Sequence, residues 1–381
     1  MQIKESPSGR IIKAGTGYFS FIPNPLPPHI EWTGELVNSL SHADHLLGRL
    51  SKEGSSLPNP YLFTRSFVAR EAVLSSRIEG TQATLEDILA HDADASRDTG
   101  HQDRQEVQNY IDALTHGIQR LNELPLSLRL IKELHEILMR GVRGNYATPG
   151  EFRRTQNWIG APGCTLMTAK FVPPTPDELM PALGALELFL HDRTLPPLIH
   201  VALCHYQFEA IHPFLDGNGR VGRLLIILLL IERGVLSAPW LYISAFFEAT
   251  RTDYYRYLYD VSASGNWHEW LSYFLNGVAL QSADALSRTE RITVLIQNWQ
   301  TIIPTTRSVH MSDVIQKLAA NPFITTKGLA ESAQIAFTTA QRIIQQLEAT
   351  GIITQASTGK RDRLYCAKQI LAILEEETKI T

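Results

Sequence analysis

Residues 212–223 read HPFLDGNGRVGR. His212 carries an imidazole whose ordinary pKa near 6.5 suits it to take a proton from an attacking hydroxyl. Gly217 and Gly219 permit backbone conformations in which successive N–H groups converge on an anion. Asn218 is small and can donate from its amide. Arg220 and Arg223 are three apart, hence neighbours on a helix, and guanidinium forks match phosphate oxygens. Asp216 places a hard carboxylate beside that cradle, the usual way of sharing Mg²⁺ with phosphates and water. Each part alone is commonplace: a lone GNG is usually a turn, a lone histidine usually a core residue, an arginine pair usually a solvated one. Together in twelve residues they describe a nucleotide held by its phosphates, with a base facing the α-phosphate.

Elements on either side must position this stretch. LLIILLLI (224–231) follows directly and is apolar on every face, which predicts a helix buried all round. The polar residues then form the cap on its N-terminus, where amides and helix dipole favour an anion. Leu198–Ala210 reads as the helix before it. Further helices are expected near 102–122, 127–140 and 177–192, and onward through 251–300. Periodicity begins near Trp32 and returns in NPYLFTRSFVAREAVLSSRIEG (59–80), with Pro60 suited to a first turn and Gly80 to a C-terminal cap. Pro23, Pro25, Pro27 and Pro28 predict an extended strap at the N-terminus. GEFRRTQNWIGAPGCTLMTAKFVPPTP (150–176) has turn residues and short β-prone pieces, and reads as an irregular loop with a hairpin over Gly163–Phe171. After a linker at 301–308, helix, helix, helix and a hairpin carrying Lys360, Arg361 and Arg363 follow the order of a winged helix-turn-helix.

Composition narrows the class. The chain has 381 residues, 44% hydrophobic and 19% charged, with a formal net charge of −4. That is an ordinary globular balance, large enough for two or three domains, without a global pull toward nucleic acid or anionic lipid. Cys164, Cys204 and Cys366 are far apart, which argues for a reducing compartment and against a disulfide framework or zinc ribbon. No secretory h-region and no stretch of roughly 20 apolar residues is seen, so a cytoplasmic protein without membrane contact is expected.

HPFLDGNGRVGR resembles the signature HxFx[DE]GNGRxxR of the Fic family, matching at every specified position. GEFR, FVPPTP and DYYRYL resemble segments around that family's flap and nucleoside-side helix, so the likeness spans about residues 10–300. The resemblance implies a mostly α fold, with a Fic-type helical core and a β-hairpin flap beside the appended C-terminal winged helix. Its boundaries fall at 1–100, 101–300 and 307–381. It further implies protein adenylylation, the transfer of AMP from ATP to a Ser, Thr or Tyr hydroxyl of a target protein or of the chain itself. His212 would be the base and Asp216 the Mg²⁺ ligand. Gly217, Asn218 and Gly219 would cradle the α- and β-phosphates, Arg220 the β-phosphate and Arg223 the γ-phosphate. Val221 and Gly222 complete the same nucleotide-contacting run, and Tyr255 would lie along the adenosine. Ser262 stands where some members have an asparagine near the adenine.

SSRIEG (75–80) places Glu79 at the end of a predicted helix, against the negative end of the dipole, where a carboxylate is disfavoured by up to about 1 kcal/mol. For an arbitrary glutamate that means an exposed, solvated side chain. Ser75 and Glu79, however, match the family's inhibitory motif [ST]xxxE[GN]. The resemblance implies that Glu79 pairs with Arg223, on a helix near 60–80 that precedes the core, and blocks the γ-phosphate.

Two features stay outside that reading. HEILM at His135 lacks the second histidine of a zinc-protease motif and reads as helix surface, and His200 and His205 are five apart, unsuited to share a metal. The tail 307–381 holds nine Lys/Arg against seven Asp/Glu, a weak balance for DNA, although Gln341, Arg342, Gln345 and Gln346 could reach base edges. The open alternatives are a DNA-binding regulator that only senses nucleotide, a different nucleotide donor, and removal rather than addition of AMP. Homodimerisation and protein contact through the winged helix stand beside DNA contact.

Overall fold

A computed structural model describes residues 3, 5–15, 17–55, 60–94, 101–142, 148–161, 163–303, 310–357 and 363–379. The chain opens with β1 (Gly9–Lys13) and β2 (Phe19–Pro23), antiparallel with Gly9 opposite Pro23 and Lys13 opposite Phe19. The expected strap is therefore a hairpin, because no proline falls between Ser8 and Ile22, which leaves those amides free to pair. α1 (Gly34–Ser55), α2 (Pro60–Ile78), α3 (Leu85–Ala93), α4 (His101–Arg120) and α5 (Leu128–Leu138) follow. After the long loop come α6 (Pro176–Leu190), α7 (Pro197–Ile211), α8 (Asn218–Glu232), α9 (Ser244–Ala249), α10 (Arg251–Ser264) and α11 (Trp267–Ile302).

Local chemistry sets these boundaries. Thr84 and Asp87 form a reciprocal capping box at the start of α3, and Ser127 caps α5 by accepting from the Leu130 N–H. Pro176 and Pro197 open α6 and α7, where a missing N–H costs nothing. Gly80, at φ +103°, turns the chain after α2 in a conformation that side chains resist.

α8 is the axis of the molecule. Leu224–Leu230 are at most 2% exposed, enclosed by α2, α4, α5 and α7. Burial of each such side chain contributes about 1.5–3 kcal/mol, so α8 is a rigid base for whatever its N-terminus holds. α4 crosses it closely at Gly117, where an added Cβ would lie 2.8 Å from a Leu228 methyl.

The C-terminal part runs α12 (Met311–Ala320), β3 (Phe323–Thr325), α13 (Thr326–Ser332), α14 (Phe337–Ala349), β4 (Thr354–Gln355), β5 (Leu364–Cys366) and α15 (Lys368–Glu375). Its three short strands form one antiparallel sheet in the order β3-β5-β4. Lys360 and Arg361 lie outside the described residues, as does Arg307. One apolar core runs continuously from the N-terminal hairpin to α15. Among the described residues no helix is long and apolar enough to cross a membrane.

Candidate active site

His212 ends α7 in a left-handed conformation, φ 49° and ψ 63°, a strained one for a non-glycine residue. What holds it there is a set of buried donors from the loop. Arg153 Nε donates to the His212 carbonyl at 2.9 Å, and Asn157 Nδ2 donates to the carbonyls of His212 (3.2 Å) and Phe214 (2.8 Å). Arg153 also reaches the carbonyls of Thr155 and Pro174, and burial pulls its pKa down to about 10. The His212 Nδ1 lies 3.3 Å from the Glu209 carbonyl, which can only accept. The proton of the neutral ring is thus on Nδ1, and Nε2 is left as an acceptor. Burial, with the Arg153 charge adding, lowers the His212 pKa to about 4, so the ring is neutral at pH 7.

The turn between α7 and α8 is closed by Asn218, whose Oδ1 accepts from the Phe214 N–H (2.8 Å) and whose Nδ2 donates to the Phe214 carbonyl (2.9 Å). Its side-chain amide is thereby committed to the loop, leaving its backbone N–H for an anion. Gly217 caps α8 at φ +77°, and the Asn218, Gly219 and Arg220 amides belong to the first helical turn, which has no intrahelical acceptors. Asp216 is partly buried, with Oδ1 accepting from the Gly217 N–H at 2.6 Å. Among the described residues no group of three or more Asp, Glu, His or Cys could hold a metal. A lone carboxylate beside open helix amides fits Mg²⁺ shared with phosphate oxygens rather than a resident ion caged by protein.

Both signature arginines are paired with acids from the N-terminal half. Arg223 is 1% exposed; its Nε donates to Ser75 Oγ (2.8 Å) and its Nη2 to the Ser75 carbonyl (2.9 Å) and Glu79 Oε1 (2.7 Å). α2 ends at Ile78, so Glu79 stands in the turn beyond it, with its carboxylate against the face of Gly219. Burial works to raise the Glu79 pKa, but the Arg223 guanidinium outweighs it and holds the carboxyl below its ordinary value. Arg220, nearly buried, donates to Glu106 at 3.2 Å, and Glu106 also accepts from Thr81. A further carboxylate, Glu209, sits over Gly222, where an added Cβ would lie 2.3 Å from its Oε1. Burial, against the pull of Arg223, pushes the Glu209 pKa up to about 7, and the Glu79 charge adds to the rise. The Val221 side chain is fully buried in the core, and the Gly222 carbonyl accepts from His205 Nδ1 at 3.0 Å.

Tyr255 is 39% exposed on α10, within the electrostatic reach of Glu79 and Arg223. Ser262 is buried, its hydroxyl 2.9 Å from that of Tyr206. The loop over 150–173 closes through one antiparallel bridge, Ile159 with Phe171, and its second leg is held by β2 through the Phe21 N–H to Val172 O (2.9 Å) and Ser20 Oγ to Pro173 O (2.7 Å). Trp158, Ile159 and Met167 stand exposed on it.

The reading of His135 as helix surface is overturned: it is fully buried. Its Nδ1 accepts from the Gly150 N–H (2.9 Å), so Nε2 carries the proton and donates to the Asp216 carbonyl (3.1 Å). Sequence reasoning also missed Glu106, Arg153 and Glu209. Arg153 is the arginine of GEFR, and Glu209 is the one carboxylate on α7, three residues before His212.

Known proteins carry the same elements. The model of the Fic/DOC family N-terminal region matches residues 37–119, and that of the Fic/DOC family matches 125–230. A protein adenylyltransferase Fic from Drosophila yakuba is 36% identical over 117 residues, 30% of this chain and 21% of that protein. The Drosophila grimshawi protein of the same name is 37% identical over 117 residues. This chain thus spans about a fifth of the length of the curated relatives it matches. A Fic family protein from Desulfovibrio desulfuricans superposes over 90% of this chain and 98% of its own, with TM-score 0.57 and 21% identity. Fic-1 from C. elegans does so over 67% of this chain and 74% of its own, with TM-score 0.52 and 20% identity. Residues 37–119 and 125–230 of the chain are thus a Fic/DOC family N-terminal region and a Fic/DOC family domain.

Proposed function

We propose that this chain is a protein adenylyltransferase that moves AMP from ATP to a Ser, Thr or Tyr hydroxyl, and that Glu79 restrains it by occupying Arg223. The observation that carries the chemistry is His212: neutral, tautomer set by the Glu209 carbonyl, with Nε2 open beside the N-terminus of α8. In the transfer the target hydroxyl oxygen forms a bond to the α-phosphorus and gives its proton to His212 Nε2. The bond from that phosphorus to the β-bridging oxygen breaks, and pyrophosphate leaves. The Asn218, Gly219 and Arg220 amides, with the Arg220 and Arg223 guanidiniums, would orient the phosphates and offset their charge. Mg²⁺, held by Asp216 with phosphate oxygens, would neutralise charge on the departing pyrophosphate. Val221 and Gly222 would continue the nucleotide-contacting run along α8 through their backbone, the Val221 side chain being in the core, and Tyr255 would flank the adenosine.

The restraint rests on geometry of the same kind. Arg223 has two donors engaged by Ser75 and one nitrogen on Glu79. A γ-phosphate seeking Arg223 must displace Glu79. In the loop at Trp158–Phe171, Ile159 and Phe171 pair as an antiparallel bridge, and Trp158, Ile159 and Met167 are exposed beside it, which supports a protein substrate docking there. The same restraint is compatible with removal of AMP as the second activity of the site.

We read the chain in three parts, to about residue 100, 101–300 and 307–381, and the last as a winged helix in the reducing cytoplasm that three free cysteines suit. α14 exposes Gln341, Arg342 and Gln345, which favours DNA as its partner over a purely structural role. The test of the enzymatic reading is His212→Ala placed in a Glu79→Gly chain. Incorporation of label from α-labelled ATP should fall by about 10²-fold or more. Incorporation undiminished by the change would remove His212 as the base.

A further inference from the structure

We propose that His135 is a positioning residue that aims the Asp216 carboxylate at the phosphates, an inference that rests on the reading of Asp216 as the Mg²⁺ ligand. The relay is one peptide plane. The Asp216–Gly217 peptide presents its carbonyl to His135 Nε2 at 3.1 Å and its N–H to Asp216 Oδ1 at 2.6 Å. In a planar trans peptide the C=O and N–H point in opposite directions, so gripping the carbonyl fixes the direction of the N–H that holds the carboxylate. His135 is itself immobilised on every side. It is fully buried on α5, stacks on Phe214 with ring centroids 3.7 Å apart and 7° between planes, and accepts the Gly150 N–H at Nδ1. Gly217 completes the arrangement: an added Cβ would lie 2.9 Å from Met139 Sδ and 3.5 Å from the His135 ring. The role needs a donor and an acceptor on one short side chain, which glutamine has and phenylalanine lacks.

Calorimetric titration of ATP with and without Mg²⁺, in the Glu79→Gly chain, tests it by binding alone. His135→Phe should lose tenfold or more of the Mg²⁺-dependent gain in ATP affinity and keep its metal-free affinity. His135→Gln should restore the gain to within about threefold. A folded His135→Phe chain with the full gain overturns the proposal. If Asp216→Asn also keeps the full gain, the reading of Asp216 fails instead. In the unsubstituted ring the Nε2–H resonance should move on addition of Mg²⁺ with ATP and not of ATP alone; an unmoved resonance also overturns it.

A different set of contacts carries a second inference: we infer that the C-terminal part clamps the restraining helix, which deepens the reading of Glu79 and rests on it. α2 is buried on two opposite sides. On one, Glu71 and Ser75 face the Fic core, through Tyr110 and Ser244 and through Arg223. On the other, Ser66 Oγ donates to the carbonyls of Ala319 (2.8 Å) and Ala320 (3.0 Å) at the end of α12. Arg70, 6% exposed, donates to the carbonyls of Leu374 and Glu376 at the end of α15. Arg288 of α11 grips that same end through the carbonyls of Ile373 and Glu376. Two arginines thus satisfy the terminal carbonyls of α15, and one of them belongs to α2. Release of α15 takes from Arg70 its two carbonyl acceptors beside the α12 contact, which loosens α2 and frees Glu79 to leave Arg223.

Arg288 lies on α11 away from the nucleotide site, so Arg288→Ala loosens α15 while every hydrogen bond made by α2 itself keeps its partners. Amide exchange in residues 66–79 should quicken by tenfold or more, and AMP transfer should rise several-fold. In a Glu79→Gly chain the same change should add nothing, because the restraint is already gone. If Glu79→Gly is active and Arg288→Ala neither quickens exchange nor raises transfer, the clamp is refuted. If Glu79→Gly itself gives no rise, the reading of Glu79 falls first. Should Arg288→Ala fail to fold, Ser66→Ala must show the same quickening, and its absence also refutes the clamp.

Discussion

Arg223 Nη2 lies 2.7 Å from Glu79 Oε1, and the same arginine gives its Nε to Ser75 one helical turn earlier. Three of the five N–H donors of that guanidinium are thereby engaged by the end of α2 and the turn after it, which precede it by about 150 residues in the chain. The Glu79 carboxyl is held below its ordinary 4.5 by Arg223, against the effect of burial. The pair is therefore intact at neutral pH and is lost only as the pH falls below that value.

Ser75→Ala removes one charged hydrogen bond from Arg223 and leaves Glu79 in place. Such a bond is worth about 1.5–3 kcal/mol. The restrained state should weaken by about tenfold, and AMP transfer should lie between wild type and Glu79→Gly in a labelled-ATP assay. A rate equal to wild type would show that Ser75 adds nothing to the restraint.

Glu209 senses Glu79 electrostatically, since burial sets its pKa near 7 and the Glu79 charge adds to the rise. Replacing Glu79 with glycine should lower the Glu209 pKa, as followed by carboxyl carbon resonances against pH. The ionised Glu209 then limits the cost of leaving Arg223 buried. A Glu79→Gly/Glu209→Gln chain should accordingly melt well below either single variant, whereas simple additivity would separate Glu209 from Arg223.

Arg220 is paired with Glu106 as Arg223 is with Glu79. Glu106→Gln keeps an acceptor but removes the charge that competes with phosphate. ATP should bind about 3- to 10-fold more tightly by calorimetry. Weaker binding would mean that Glu106 orients Arg220 rather than competing for it.

His135, His200 and His205 are buried and neutral, their pKa values lowered by burial from 6.5 to about 4, about 4 and about 3. Below pH 6.5 the unfolded chain binds protons that the folded chain does not, so stability must fall with pH. The slope is on the order of 1 kcal/mol per pH unit for each histidine. Melting curves between pH 7 and 5 should show it, and His200→Gln, remote from the site, should flatten it. Equal slopes in both chains would contradict the assignment.

Much of this was legible in the primary structure, for identifiable reasons. HPFLDGNGRVGR is local, so its parts are close along the chain, and an apolar run with no polar face must be enclosed in a core. Ser75 and Glu79 were legible through resemblance alone. Glu106 and His135 were not, because each is an ordinary residue on an amphipathic helix until packing brings it to the signature, and Arg153 was legible only as part of GEFR, without its grip on the His212 carbonyl. The exchange of the Asn218 amide from ligand to loop closure was equally hidden, since it depends on the path of Phe214. The docking of α15 against Arg70 joins residues about 300 apart, a distance over which no pattern in the chain speaks.

The measurement that bears most directly on the central claim is incorporation of α-labelled AMP by wild type and Glu79→Gly, side by side with ATP and Mg²⁺. The account predicts a weak signal from wild type and one at least tenfold stronger from Glu79→Gly. Equal incorporation by the two chains would contradict it.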